Sequence, residues 1–580
     1  MDAHRCIKTA KKLDKLVILI NYQFSENHFV SETLMIAGIA IKLTFIAALG
    51  DLVQANPLAR ATAESHAGSK TSISLPTPTA DYYSRVFNLD QPYRGTVSDG
   101  ILPELSIRPL AVEYPYTTDY PSILVRPVAK DAKSIDEFDV IGNWGINMPY
   151  KSSPQLLEGT SPFPPQSCRI DSVNLLHRHA ERYPSSWDQS LDFAKSLSEK
   201  VQRGLNASKP IEFFDELEFL SDYSYPLGSD KLTSIGRDTM FRHGTQFGIL
   251  YGRLLDSFTN HKMVVRTTTE ERMYRSATNF LLGLLGEEWP DKIHLVQQIE
   301  EDGFNSTLNV WNTCNREDAD QGDPRKEHWQ KIYLQDASKR LSANVKNANF
   351  TVDDVAGMQD LCAYETIALG YSHFCSLFTK DEWKGYGYGY DLYHYGDAGF
   401  GGPVARASGL GYLEELLARM TNDRKNLEPY ESSTNRTLNQ DPITFPTDQA
   451  VNIDFTHDVT IGEVVVALNL THFSRGLSQD YIETAEPRWK SNVISPFAAN
   501  ILIQTISCGE DNKEYARVIL NDAVQPLSGF GKCGDNAQGM CELKLFIKAL
   551  KQAKHETNFT FDCFGDFNNT HVVHNGEPEL

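Results

Sequence analysis

The 580-residue chain is short of positive charge: 55 lysines and arginines stand against 76 aspartates and glutamates, a net charge of −21 at pH 7. A body this acidic repels phosphate backbones and anionic headgroups, which argues against nucleic-acid partners and membrane surfaces. Any anion site must then be a local positive pocket. Closely spaced cysteine pairs are also missing, which argues against zinc. No G-x-S-x-G elbow occurs, removing the usual serine-hydrolase arrangement. The run Gly385-Tyr386-Gly387-Tyr388-Gly389-Tyr390 is glycine-rich, yet neither a GK[ST] signature nor a dinucleotide pattern follows it, so it is no P-loop. No internal repeat is visible. The apolar stretch Leu34–Leu49, broken by Lys42, is shorter than the roughly 20 residues that span a bilayer.

That stretch reads instead as a secretory h-region. Lys8, Lys11, Lys12 and Lys15 precede it, and Val53-Gln54-Ala55 offers small residues at a signal-peptidase site. Met35 is a candidate start, which would make residues 1–34 an upstream extension. No stable membrane insertion is expected, and the expected location is extracellular, with the cell wall as one option. Cysteine usage agrees. Removing the signal removes Cys6 and leaves eight: Cys168, Cys314, Cys362, Cys375, Cys508, Cys533, Cys541 and Cys563. Eight cysteines allow 105 pairings. Spacing favours two local bridges, Cys362–Cys375 and Cys533–Cys541. Sequons at Asn206, Asn305, Asn349, Asn435, Asn469, Asn558 and Asn568 support a secreted glycoprotein.

A chain of this length is expected to hold at least two domains. Residues 1–55 form the signal region with its extension. Residues 56–165, rich in Pro, Ser and Thr, read as an irregular arm, with a disordered pro-region near 60–80. From Ser167 strand-then-helix units recur. The first is Ser172–Leu176 with a helix around Ser190–Leu205. The second is Lys262–Arg266, followed by a helix with Met273, Ala277, Phe280, Leu281 and Leu284 on one face. The third is Val451–Phe455, followed by a helix through Val464–Leu468. Repeated βα units imply an α/β fold, a mainly parallel sheet with helices on both faces. We assign the core to 166–290 and 410–580. A smaller, mostly helical domain over 291–409, with part of 190–250, is inserted in it. Met358–Leu369 and Ser372–Trp383 are candidate helices there. Leu413, Leu416, Leu417 and Met420 form a core stripe.

The informative run is Leu176-His177-Arg178-His179-Ala180-Glu181-Arg182-Tyr183-Pro184. Arginine forks grip phosphate oxygens in bidentate fashion and keep their proton. An imidazole between two of them faces a phosphorus atom. Two further turns follow strands: one with Arg266, Glu270, Glu271, Arg272 and Arg275, the other with His457 and Asp458. In open α/β sheets such turns meet at the carboxyl edge, where ligands bind.

On these residues the chain resembles the histidine acid phosphatase family, in its branch of fungal secreted acid phosphatases and phytases. That family's Arg-His-Gly-x-Arg-x-Pro corresponds to Arg178–Pro184 and its late His-Asp to His457-Asp458, over roughly residues 140–570. The resemblance picks Arg272 from the middle turn and implies Cys168–Cys508 and Cys314–Cys563 as long-range bridges. It implies the histidine phosphatase fold, with His179 as nucleophile through a phosphohistidine. Asp458 is then the general acid, and Arg178, Arg182, Arg272 and His457 bind the phosphoryl group. Neither metal nor cofactor is required. The expected substrates are phosphomonoesters, cleaved by an acid phosphatase or, alternatively, a phytase acting on myo-inositol hexakisphosphate; a non-catalytic phosphate-binding secreted protein is the remote alternative. A homo-oligomer is left open. Surrounding cations should keep His179 neutral and Asp458 ionised. The family's glycine is Ala180 here, which requires a negative φ and room for a methyl group.

Overall fold

The computed structural model describes residues 124–565, apart from the short stretches 158–159, 187, 206–208, 222, 259–260, 302, 312, 315–320 and 428–431. The expected signal region, the first part of the arm, Cys6, and the sequons at Asn206 and Asn568 lie outside the described residues.

One mixed sheet organises the chain. Its strands are β1 (Cys168–Arg178), β2 (Met263–Thr268), β3 (Ile293–Gln298), β4 (Val451–Thr456), β5 (Asn500–Cys508), β6 (Lys513–Leu520), β7 (Ala523–Val524) and β8 (Cys541–Glu542). Their order is β8-β6-β5-β1-β4-β2-β3, with β7 beside β6. The four strands β1, β4, β2 and β3 are parallel. Strands β5, β6 and β8 extend the sheet antiparallel, where a short connection such as the one between β5 and β6 suffices.

The longer helices among the described residues are α1 (Gln189–Leu205), α2 (Ser234–Leu255), α3 (Glu271–Leu285), α4 (Gly322–Tyr333), α5 (Val352–Leu369), α6 (Lys380–Asp397), α7 (Ala405–Thr421), α8 (Asp458–Ala467) and α9 (Leu543–Glu556). Side chains alternate between the faces of the sheet with period two. Val173, Leu175, Leu502 and Ile519 pack with Met240 and Phe247 of α2 and Met273, Phe280 and Leu281 of α3. Leu176, Ile501, Ile503 and Val518 pack on the other face with Leu413 and Leu416 of α7, Val464 and Val465 of α8, and Phe546 of α9. Both faces are covered, so β2 and β4 are buried at every position.

A third core joins Phe193 and Leu197 of α1 to Leu361 of α5, Trp383 and Tyr386 of α6, and Trp144 from the irregular segment before β1. Here the chain departs from expectation. Residues 372–383 are not one helix: Ser372 caps a 3-10 turn, His373–Leu377, and Thr379 then opens α6 with a capping box to Glu382. The Gly-Tyr run lies inside α6. A Cβ at Gly385 would sit 2.3 Å from the Tyr333 ring, so the glycine serves helix packing.

Among the described residues there are four disulfides. Cys168–Cys508 staples β1 to β5, Cys314–Cys563 ties the loop before α4 to the short helix Phe559–Phe564, and Cys362–Cys375 and Cys533–Cys541 close local loops. The first two close loops of 340 and 249 residues, which restrict the unfolded chain most. Among the described residues no helix is long and apolar enough to cross a membrane.

Candidate active site

Strands β1, β4 and β2 are in register at their ends: Leu176 and Arg266 both pair with Asp454. The turns that follow them therefore converge. His179 leaves β1 with its N–H donated to Thr456 O at 3.0 Å, and its carbonyl accepts from Ala498 N at 3.0 Å. Its Nδ1 lies 2.8 Å from Ala180 O. A carbonyl only accepts, so Nδ1 carries the proton and Nε2 keeps its lone pair. Burial, then Arg178, Arg272, His457 and Arg182, hold the imidazole well below its usual pKa, so it is neutral.

Arg178 is fully buried. Its Nη1 donates to Ile146 O at 2.6 Å and Ser495 O at 2.7 Å, its Nη2 to Asp458 Oδ2 at 3.1 Å, and it stacks on Phe497 at 4.5 Å. Burial brings its pKa down to about 10, against the pull of Asp458, which leaves it charged.

Arg182 is placed by a ladder between residues 181–184 and 230–233. Thr233 N donates to Glu181 O at 2.8 Å, Tyr183 N to Lys231 O at 2.9 Å, and Asp230 N to Pro184 O at 2.9 Å. Gly236 permits this approach, since a Cβ there would lie 2.3 Å from Glu181 O. The guanidinium meets Tyr364 OH at 3.3 Å and Asp188 Oδ2 at 3.4 Å. Asp188 also accepts from Tyr364 OH at 2.9 Å.

Arg272, in the first turn of α3, forms an ion pair with Glu270, the residue just before that helix. His457 lies between β4 and α8, its ring centroid 5.6 Å from that of His179, and its Nε2 is 2.8 Å from Glu300 Oε1. Asp458 opens α8. Burial would raise its carboxyl, but Arg178, His394, Arg182 and His457 outweigh burial and hold it far below the usual value. The helix N-terminus adds to that stabilisation.

His179, Arg178, Arg182, Arg272, His457 and Asp458 thus gather at one sheet edge. Arg266 and Arg275 do not join them. Arg266 turns into the core, to Asp454 Oδ1 at 2.6 Å and Glu415 Oε2 at 2.7 Å; Arg275 is half-buried beside Glu271 at 3.6 Å. Ala180 is buried without a positive φ, and its N–H reaches Ser276 Oγ at 3.3 Å, so the methyl group fits. Sequence reading missed Glu300, Asp188, Tyr364 and Phe497. Glu300 carried a usable signal: it follows β3 as the other three turns follow their strands.

Among the described residues, Glu270, Glu300 and His457 bring ligand-type atoms within 4.8 Å of one another. Protein groups already serve these acids: the Arg272 guanidinium at Glu270 and the His457 ring at Glu300. The sequons stand away from these contacts. Asn305, Asn349 and Asn558 are exposed, whereas Asn435 and Asn469 are half-buried, and Asn469 Nδ2 donates to Gly529 O at 2.6 Å.

A neutral imidazole with a free Nε2, ringed by arginines at the carboxyl edge of an α/β sheet, is the equipment of a phosphoric monoester hydrolase. Residues 169–521 match the family model of the histidine phosphatase superfamily, branch 2, and the chain belongs to that family. It is 30% identical over 440 residues to Phytase A of Aspergillus fumigatus, covering 73% of this chain and 90% of that protein. It is 31% identical over 429 residues to Phytase A of Penicillium oxalicum, covering 71% and 89%. The crystal structure of the phytase from D. castellii superposes with a TM-score of 0.60 at 27% identity, over 76% of this chain and 90% of that one.

Proposed function

We propose that the chain is an extracellular acid phosphatase of the phytase type, which hydrolyses phosphomonoesters, myo-inositol hexakisphosphate included, through a phosphohistidine. The carrying observation is the Nδ1 bond of His179 to Ala180 O, which leaves Nε2 as the one nucleophilic nitrogen of that ring. Nε2 attacks phosphorus, an N–P bond forms, and the ester P–O bond breaks. Arg178, Arg182, Arg272 and His457 hold the phosphoryl oxygens. Asp458 gives its proton to the leaving oxygen. It is ionised while Arg178 faces it; a bound phosphoryl group competes for that guanidinium, weakens the pull on the Asp458 carboxyl, and lets it take up from the acidic medium the proton that it then donates. The Asp458 carboxylate then takes a proton from water, whose oxygen attacks phosphorus. The N–P bond breaks, phosphate leaves, and His179 is neutral again. Four disulfides support an oxidising, extracellular setting.

The phytase reading rests on relatives matched over nine-tenths of their length. A second reading, a phosphatase of simple monoesters, is favoured by the carboxylates that accompany the arginines: Asp458 at Arg178, Asp188 at Arg182 and Glu270 at Arg272. They leave little surplus positive charge for a polyanion. Assaying purified protein on phytate and on β-glycerophosphate decides: a higher kcat/KM on phytate supports the first reading, the reverse the second. The H179A chain, folded by circular dichroism, should release no phosphate from either substrate. Retained activity would refute the mechanism.

A further inference from the structure

Glu300 has no part in the mechanism above, yet its carboxylate is buried against one of its residues. It stands two positions beyond β3, where β3 runs parallel to β2 with Thr268 opposite Gln298. Glu300 N donates to Thr269 Oγ1 at 3.2 Å, and the Asn309 amide donates to Glu300 Oε2. The remaining oxygen, Oε1, faces His457 Nε2 at 2.8 Å. The carboxylate is therefore held on both sides, and the whole residue is 4% exposed.

We infer that Glu300 is a positioning residue: by accepting from His457 Nε2 it fixes the ring and leaves Nδ1 as the nitrogen that serves the phosphoryl group. A carboxylate can only accept, so Nε2 is the donor and is spent. Burial alone would raise the Glu300 carboxyl, but the attraction and hydrogen bond of His457, with Arg272, hold it below its usual value. Burial raises its neighbour Glu270 against the pull of Arg272. A buried ring held at one nitrogen loses few degrees of freedom when its other nitrogen meets substrate, which is the gain of a pre-set geometry.

The inference rests on the proposed role of His457, and a double-variant cycle separates the two. E300L, H457A and E300L/H457A are assayed on p-nitrophenyl phosphate, with inorganic phosphate as inhibitor. E300L should raise KM and the inhibition constant of phosphate together, about 10- to 100-fold, the size of a lost charge-assisted hydrogen bond. E300Q, which keeps an acceptor oxygen, should recover most of this. E300L should cost nothing further in the H457A background. An H457A chain with unchanged kinetics would refute the role of His457, and this inference with it. A damaged H457A chain in which E300L adds its full loss would overturn the inference alone. Should E300L fail to fold, E300D withdraws the oxygen by one methylene, and its loss must likewise vanish beside H457A.

Discussion

Replacing Asp458 by asparagine tests the proposed chemistry at the residue on which two effects meet. Among the described residues the carboxylate is the one that Arg178 touches, at 3.1 Å, and Arg178 is fully buried. Removing one partner of a buried ion pair costs about 3–5 kcal/mol. Asparagine keeps an oxygen acceptor, and Arg178 retains Ile146 O and Ser495 O, so the lower end of that range applies. The pH dependence follows from the depressed carboxyl. A group whose folded pKa lies below its unfolded value of about 3.9 stabilises fully above that value and loses its contribution as pH falls below it. The D458N chain should therefore melt lower than the parent at pH 6, with the gap closing toward pH 2. On the kinetic side, a general acid contributes typically 10²–10⁴-fold. That loss should fall on β-glycerophosphate, whose alkoxide leaving group needs a proton, far more than on p-nitrophenyl phosphate. Phosphoenzyme breakdown also needs Asp458 as a base, so p-nitrophenyl phosphate should give a burst of p-nitrophenol followed by slow turnover. Inorganic phosphate should inhibit as well as before or better, because an anion has left the cup. Equal losses on both substrates with no burst would refute the general-acid role.

Two more outcomes are expected. Glu463, buried in α8 with Ser408 nearby, has its carboxyl pushed up to about 8 by burial against that hydrogen bond. A raised acid loses stability as pH climbs from the unfolded value to the folded one, here on the order of 5 kcal/mol between about pH 4.5 and 8. E463Q should flatten that decline in melting curves, and an unchanged slope would refute it. At Gly236 a Cβ would meet Glu181 O at 2.3 Å and Glu181 N at 3.0 Å, both backbone atoms that cannot swing aside. G236A should cost about 1–3 kcal/mol and shift the Arg182 segment; kcat/KM on p-nitrophenyl phosphate should fall by up to about 100-fold. Wild-type kinetics would show that the ladder to residues 230–233 does not place Arg182.

What the sequence made legible shares one property: each reactive group sits in a short run directly after a buried strand. Arg178 to Arg182 and His457-Asp458 could be found that way, and their convergence follows from parallel register. Of the missed groups, Glu300 alone follows a strand in this way; Asp188, Tyr364 and Phe497 carry no such local mark. Even so, Glu300 is one acid among three in Ile299-Glu300-Glu301-Asp302, and its bond to His457, made only in the fold, is what singles it out. Asp188 and Tyr364 lie 176 residues apart, in α1's approach and α5, and share Arg182 through tertiary packing alone. The helix expected over 372–383 fails for a related reason: Cys375 is drawn back to Cys362 by a disulfide, and Ser372 and Thr379 each start an element of their own. The arginines read from the chain as bare cations, whereas in the fold each has its carboxylate: Asp458, Asp188 or Glu270. On the proposed roles of these arginines, an incoming phosphoryl group would displace internal carboxylates instead of filling an open positive field. That exchange weakens ground-state binding of phosphate and of product. It leaves the arginines oriented for the charge that develops during transfer, which is where binding energy accelerates a reaction.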